Sequence, residues 1–177
     1  MADLCIRGFH SNDAERCRRF LSDDAYIIEC RSDTEFLGTG MYFWGTESDA
    51  KWWKAEKNKE MVVFAVLSLN NILDLTDQEV VRLVESCLEK VDISKWFGRH
   101  DTKRKMATSS KKPTGVCLDA LFQAFKTVFG RFDILKGRQL TPREETDFFF
   151  NAKLTTKAVD IYCVKNANPI SEREEVV

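Results

Sequence analysis

The chain lacks an excess of charge of either sign: 27 basic residues stand against 28 acidic ones in 177 positions. No global field therefore steers it toward nucleic acid or a membrane surface, and any such preference has to be local. It also lacks a CxxC pair, and neither of its two histidines lies close enough to its six cysteines to complete a zinc site. The widely spaced cysteines read as buried thiols in a reducing compartment. No apolar run is long enough to span a bilayer, and "MADLCIRGFH" has neither the basic start nor the apolar stretch of a secretory leader. Repeats and low-complexity tracts are absent as well. What is left is one α+β domain over residues 1–177, of a size that buries a real core, expected in the cytoplasm and with no metal.

What is present can be placed along the chain by periodicity. "LCIRGFH" reads as a first short strand with His10 at its end, and "SNDAERCRRFL" as a helix beginning at 11–13. "GMYFW" is a compact strand entered through a glycine-rich turn, followed by a helix capped at Ser48. "MVVFAVLSL" has the continuous apolar character of a strand buried on both faces, which predicts the centre of the sheet. Thr76 and Glu79 predict a capping box that opens a helix with Val80, Val84 and Leu88 on one side, and "GVCLDALFQAFKTVF" predicts a second. "RFDILKG" and "AVDIYCVKN" read as the last two strands. The alternation of strands with inserted helices predicts the α+β class.

Three stretches carry more chemistry than a core requires. "GTGMYFWGTESDAKWW", residues 38–53, sets glycines on both sides of a threonine directly before a crowd of aromatics, a pattern suited to holding something flat. Residues 98–115 form a basic loop, read as an insertion, with Lys103, Arg104 and Lys105 at its centre. A solvated face is the commonest meaning of such a run, although it can also follow a phosphate backbone. Phe148, Phe149 and Phe150 lie in a connection too long for a hairpin, where they could fill a core or stack bases.

"GFHS" followed about thirty positions later by "LGTGMYFWGTESDAKWW" resembles the first two motifs of the diphtheria-toxin-like ADP-ribosyltransferases, the class that includes the poly-ADP-ribose polymerases. The similarity is closest to small bacterial toxins of toxin-antitoxin and phage-defence modules, and it extends more weakly through "NNILDLTD" and "IYCVKNANPI". It implies an ADP-ribosyltransferase fold, with split mixed and antiparallel sheets forming an NAD cleft. NAD would be a substrate, and an antitoxin protein would be a partner. By the resemblance, His10 hydrogen-bonds the adenosine ribose, the backbone of Ser11 holds the nicotinamide carboxamide, Tyr42 and Trp52 stack on the ring, and Gly38 and Gly40 shape the pocket. Ser11 stands where the family usually has glycine.

The third motif position is open between two neighbours. Asp160 is the only acid in "AVDIYCVKN", and a carboxylate there would stabilise the cation that develops on the ribose. Alignment on "VKNANPI" selects Ile161 instead, with Glu144 or Glu145 available to assist. Only one of the two neighbours can face a cleft. The chemistry favours Asp160, with Ile161 then facing the core. The expected activity is mono-ADP-ribosylation of a macromolecule. RNA or single-stranded nucleic acid, met by Lys103, Arg104, Lys105, Phe148 and Phe149, is preferred to protein as acceptor. NAD hydrolysis to water and a catalytically inactive binding module are the alternatives.

Overall fold

A computed structural model describes residues 4–30, 36–91, 114–141 and 158–177. The basic run with Lys103, Arg104 and Lys105, the paired Glu144 and Glu145, and the phenylalanines Phe148 and Phe149 lie outside these residues. Among these residues seven strands and five helices follow one another as β1 (Cys5–Asn12), α1 (Ala14–Ser22), β2 (Met41–Trp44), α2 (Glu47–Glu56), β3 (Met61–Ser68), β4 (Ile72–Asp74), α3 (Gln78–Leu88), α4 (Thr114–Ala124), α5 (Lys126–Phe129), β5 (Ile134–Leu140), β6 (Ala158–Val164) and β7 (Ile170–Glu175). The α+β class is as expected.

Hydrogen bonds join all seven strands into one open sheet in the order β4-β5-β6-β2-β1-β3-β7, rather than into two separate sheets. Only β4 and β5 run parallel; every other neighbouring pair is antiparallel. The joints differ greatly in length. β1 pairs with β3 along its whole length, from Cys5 opposite Ser68 to Asn12 opposite Met61, whereas β1 meets β2 through Phe9 opposite Trp44. The sheet is thus nearly divided between β1 and β2.

Side-chain alternation sends two sets of residues to opposite faces. Leu37, Trp44, Ile161 and Cys163 pack with Leu118 and Leu121 of α4 and Val84 of α3. Met41, Phe43, Tyr162 and Val164 pack with Cys17 and Phe20 of α1. Burying apolar area on both faces at about 25 cal/mol per Å2 is what holds this three-layer arrangement together.

Several local expectations need correction. β1 runs on through Asn12, so His10 lies within the strand rather than at its end. β3 is second from the edge, because β7 pairs outside it; burial on both faces does not require a central place. α2 is capped by Thr46, whose hydroxyl accepts from the Asp49 amide, and α3 by Asp77, whose carboxylate accepts from the Glu79 amide. Thr76 turns instead to Asp74, donating its hydroxyl at 2.5 Å. Among the cysteines, all free, only Cys17, Cys117 and Cys163 are buried, and Cys5 is exposed. Among the described residues no helix is long and apolar enough to cross a membrane.

Candidate functional site

A cavity of about 500 Å3 opens where β1 and β2 part, and His10, Ser11, Tyr42 and Ile161 line it together with Trp44 and Trp53. The local cause is the single β1–β2 pair. Extending its register would set Ser11 opposite Tyr42, but the ladder ends at Phe9 and Trp44. Peptide groups along a strand alternate sides with a period of two. The carbonyls of Leu4 and Asn12 accept from Leu69 and Glu60, which turns the even positions of β1 toward β3. The N–H and C=O of Ser11 therefore face the gap on the β2 side. A bound molecule could take the place of the missing strand.

The Ser11 hydroxyl adds a second open group. Its Oγ is the one buried side-chain oxygen or nitrogen among the described residues with no hydrogen-bond partner. A buried hydroxyl left in this state costs roughly 1–3 kcal/mol, so a partner brought by a ligand has free energy to recover.

His10 is 8 % exposed and joins the two strands across the gap. Its Nδ1 lies 2.6 Å from the Tyr42 carbonyl oxygen, which can only accept, so Nδ1 carries the proton. Nε2 then offers a lone pair, to which the Asn12 amide donates at 3.2 Å. Burial is the chief cause that pushes the imidazole down to about 4, with Lys59 pushing the same way and the bond to Tyr42 partly opposing. At neutral pH His10 is an uncharged hydrogen-bond acceptor, suited to a ribose hydroxyl and unsuited to an anion.

Tyr42 is held from behind. Its hydroxyl donates to the Gly38 carbonyl at 2.6 Å and accepts from the Leu37 amide at 2.9 Å. The glycines of "GTG" do not line the cavity. Gly38 has φ +79°, and a β-carbon there would lie 2.4 Å from an Asp119 oxygen; one at Gly40 would lie 2.6 Å from the Cys163 sulfur. They are glycines so that the turn can press against α4 and β6. Their service to the pocket is indirect, through Tyr42.

Of the adjacent tryptophans, Trp53 lines the cavity, and Trp52 meets the edge of Trp44 with ring centres 6.5 Å apart. The structure thus sets Trp53, rather than the expected Trp52, against this cavity. Consecutive helical residues point about 100° apart, and α2 carries its buried Ala50 and the cavity-lining Trp53 along one stripe, which the exposed Lys57 just past its end continues to the cavity. The Lys57 ammonium sits 4.9 Å from the centre of the Trp53 ring. Arg16, Lys57 and Lys59 line the cavity together with the acid Glu29; Lys59 pairs with Asp13 at 3.0 Å, and Arg16 has no ion-pair partner among the described residues.

Asp160 does not face the cleft; Ile161 does. The register of β6 decides this, since Trp44 pairs with Ile161 and the two share one face. Asp160 points the other way, accepts from Arg138 Nε at 2.7 Å and lies 3.9 Å from Lys136. Its carboxylate is committed to a surface ion-pair group that also includes Asp74. Asp160→Asn is accordingly expected to lower stability by less than about 1 kcal/mol, as for other exposed pairs, and urea unfolding checks this.

Among the described residues no group of three or more histidine, cysteine or acidic side chains is arranged to hold a metal. Sequence reasoning missed Asn12, Arg16, Trp53, Lys57 and Lys59. The stripe from Ala50 to Lys57 was the available signal, because a spacing of three then four keeps residues on one side of a helix. No family model, no curated protein and no solved structure matches the chain.

Proposed function

We propose that the chain cleaves NAD at the bond between nicotinamide and ribose and transfers one ADP-ribose unit to a macromolecule, on a fold of the diphtheria-toxin-like ADP-ribosyltransferase kind. The observation that carries this reading is the meeting of His10, Ser11 and Tyr42, drawn from two separate sequence motifs, in one cavity at the near-division of the sheet. At about 500 Å3 it falls within the range of roughly 300–1,000 Å3 of small-molecule sites. Its parts suit the parts of the dinucleotide. Tyr42, Trp44 and Trp53 supply flat apolar walls for a ring, the Ser11 peptide and hydroxyl suit a carboxamide, and Arg16, Lys57 and Lys59 suit a diphosphate.

In the reaction the glycosidic carbon–nitrogen bond breaks, and its electron pair leaves with nicotinamide, which departs neutral. An oxygen or nitrogen of the acceptor attacks the same ribose carbon and loses its proton to solvent. The site needs grip and shielding from water more than a general acid. With Ile161 at the third position, the ribose cation meets an apolar wall there rather than a carboxylate. That supports transfer of a single unit, as in relatives of the resembled family that lack the acid, and disfavours chain elongation.

Nucleic acid remains the preferred acceptor, on the strength of the basic run and the consecutive phenylalanines in the sequence. An activity of this kind in a cell calls for a silencing partner, and an antitoxin in a toxin-antitoxin or phage-defence setting fits that need. Hydrolysis of NAD to free ADP-ribose uses the same cleft and differs only in acceptor access.

Ser11 gives a test with opposed readouts. Ser11→Ala removes an unpartnered buried hydroxyl, so the free protein should be as stable as wild type or more stable by up to about 1 kcal/mol, while the Kd for NAD rises about three- to tenfold. Calorimetric titration with NAD beside thermal unfolding reads both. Unchanged NAD affinity would remove Ser11 from the site.

A further inference from the structure

We propose that Asp119, on α4 and outside the cavity, is a positioning residue for Tyr42; this rests on the NAD-cleaving reading above. The carboxylate takes three hydrogen bonds from one residue of the preceding turn. Thr39 donates its amide to Oδ1 at 2.9 Å and to Oδ2 at 3.0 Å, and its hydroxyl to Oδ2 at 2.8 Å. Lys165, beyond the end of β6, completes the clamp. Its ammonium donates to the Leu37 and Thr39 carbonyls at 3.0 and 2.7 Å and stands 3.6 Å from Asp119. Turn 37–40 is thus gripped at Leu37 and Thr39, from α4 and from the residue that follows β6.

Tyr42 hangs from the same turn through its hydroxyl, which bonds Leu37 and Gly38. The clamp and the tyrosine bond different atoms of one short loop, so moving the loop moves the ring. Gly38 shows that the approach is deliberate in shape: any side chain there would strike the Asp119 carboxylate and the Gly115 carbonyl. A glycine followed by a threonine is what this carboxylate requires, one for closeness and one for its two donors. Asp119 is half-buried, and the three hydrogen bonds its carboxylate accepts among the described residues all come from the turn.

Without the clamp, Tyr42 keeps its place in β2 but loses a fixed ring orientation. Misplacement of a positioning group by about 1 Å can cost on the order of a hundredfold in rate. Asp119→Ala should therefore lower kcat for NAD cleavage by roughly ten- to a hundredfold and raise KM by less than about threefold. Asp119→Asn, which keeps one acceptor oxygen, should lie between.

The decisive arm is the Tyr42→Phe background, where the ring no longer holds the turn. There Asp119→Ala should cost less than about threefold, because the two residues act through one loop. Amide exchange gives a readout free of catalysis: in Asp119→Ala the Leu37 and Thr39 amides should exchange faster while those of β6 do not change. An equal loss of rate in both backgrounds, a loss that only tracks a falling Tm, or unchanged exchange at Leu37 and Thr39 would each overturn the proposal. A wild-type protein that neither binds nor cleaves NAD would overturn the functional reading instead, and the exchange comparison would still decide whether Asp119 holds the turn.

Discussion

Replacing Tyr42 by alanine is expected to lower NAD cleavage by at least about a hundredfold, the largest loss from any single change in the cavity. The variant removes an aromatic wall and, with it, the hydroxyl that joins Gly38 to Leu37. Both effects act on the same event, the holding of a flat ring while its bond to ribose breaks. Tyr42 is half-buried, so folding also suffers, by roughly 2 kcal/mol and hence a fall of several degrees in Tm for a chain of this size. Tyr42→Phe separates the two, since it keeps the wall and loses the anchor. Its rate should lie well above that of the alanine variant. Nicotinamide release followed by chromatography, with unfolding curves for each variant, provides the comparison. A folded Tyr42→Ala protein with wild-type activity would remove the cavity from consideration as the site.

The second large effect is expected at His10, and it has a sign in pH. Burial holds the folded imidazole near 4, against about 6.5 when the chain is unfolded. Between these values the unfolded state binds a proton that the folded state refuses. The His10 contribution to stability therefore rises with pH from about 4 to about 6.5 and is level above, with up to about 3 kcal/mol lost on full acidification and about 2 kcal/mol of that by pH 5. His10→Gln should flatten this slope. Urea midpoints at pH 7 and pH 5 for both proteins measure the difference.

His10→Gln should also reduce NAD cleavage by about ten- to a hundredfold, because it disturbs the bond to the Tyr42 carbonyl and the acceptor at Nε2 together. The wild-type rate should show no His10 ionisation between pH 5 and 8. A rate that falls through pH 6.5 and loses that step in His10→Gln would show that the histidine is charged in the working enzyme.

The strands that bury side chains were legible because their composition has no other use. "MVVFAVLSL" became β3 and "GMYFW" became β2 almost to the residue. β7 was not seen, since "ISEREE" on an exposed edge shows no apolar alternation, and the three residues of β4 are too few for any period. Which motifs converge was legible; the phase of each element was not. Asp160 and Ile161 trade faces with a shift of one residue, and only the pairing of β6 with Trp44 chooses between them. The same holds for Trp52 and Trp53, where the rotation of α2 against the sheet makes the choice. The clamp formed by Asp119 and Lys165 on turn 37–40 joins positions some eighty to one hundred and thirty apart, and no local pattern announces it.

The central claim is that this cavity breaks NAD and passes on its ADP-ribose. The measurement is incubation of the wild-type protein and Tyr42→Ala with NAD labelled in its adenylate half and a whole-cell extract. Released nicotinamide and macromolecule-bound label are quantified before and after nuclease or protease treatment. The account predicts nicotinamide release by wild type alone, with an equal amount of label split between bound and free ADP-ribose, the bound share sensitive to nuclease. Label removed only by protease would move the acceptor to protein. Nicotinamide release no faster for wild type than for Tyr42→Ala would contradict the account.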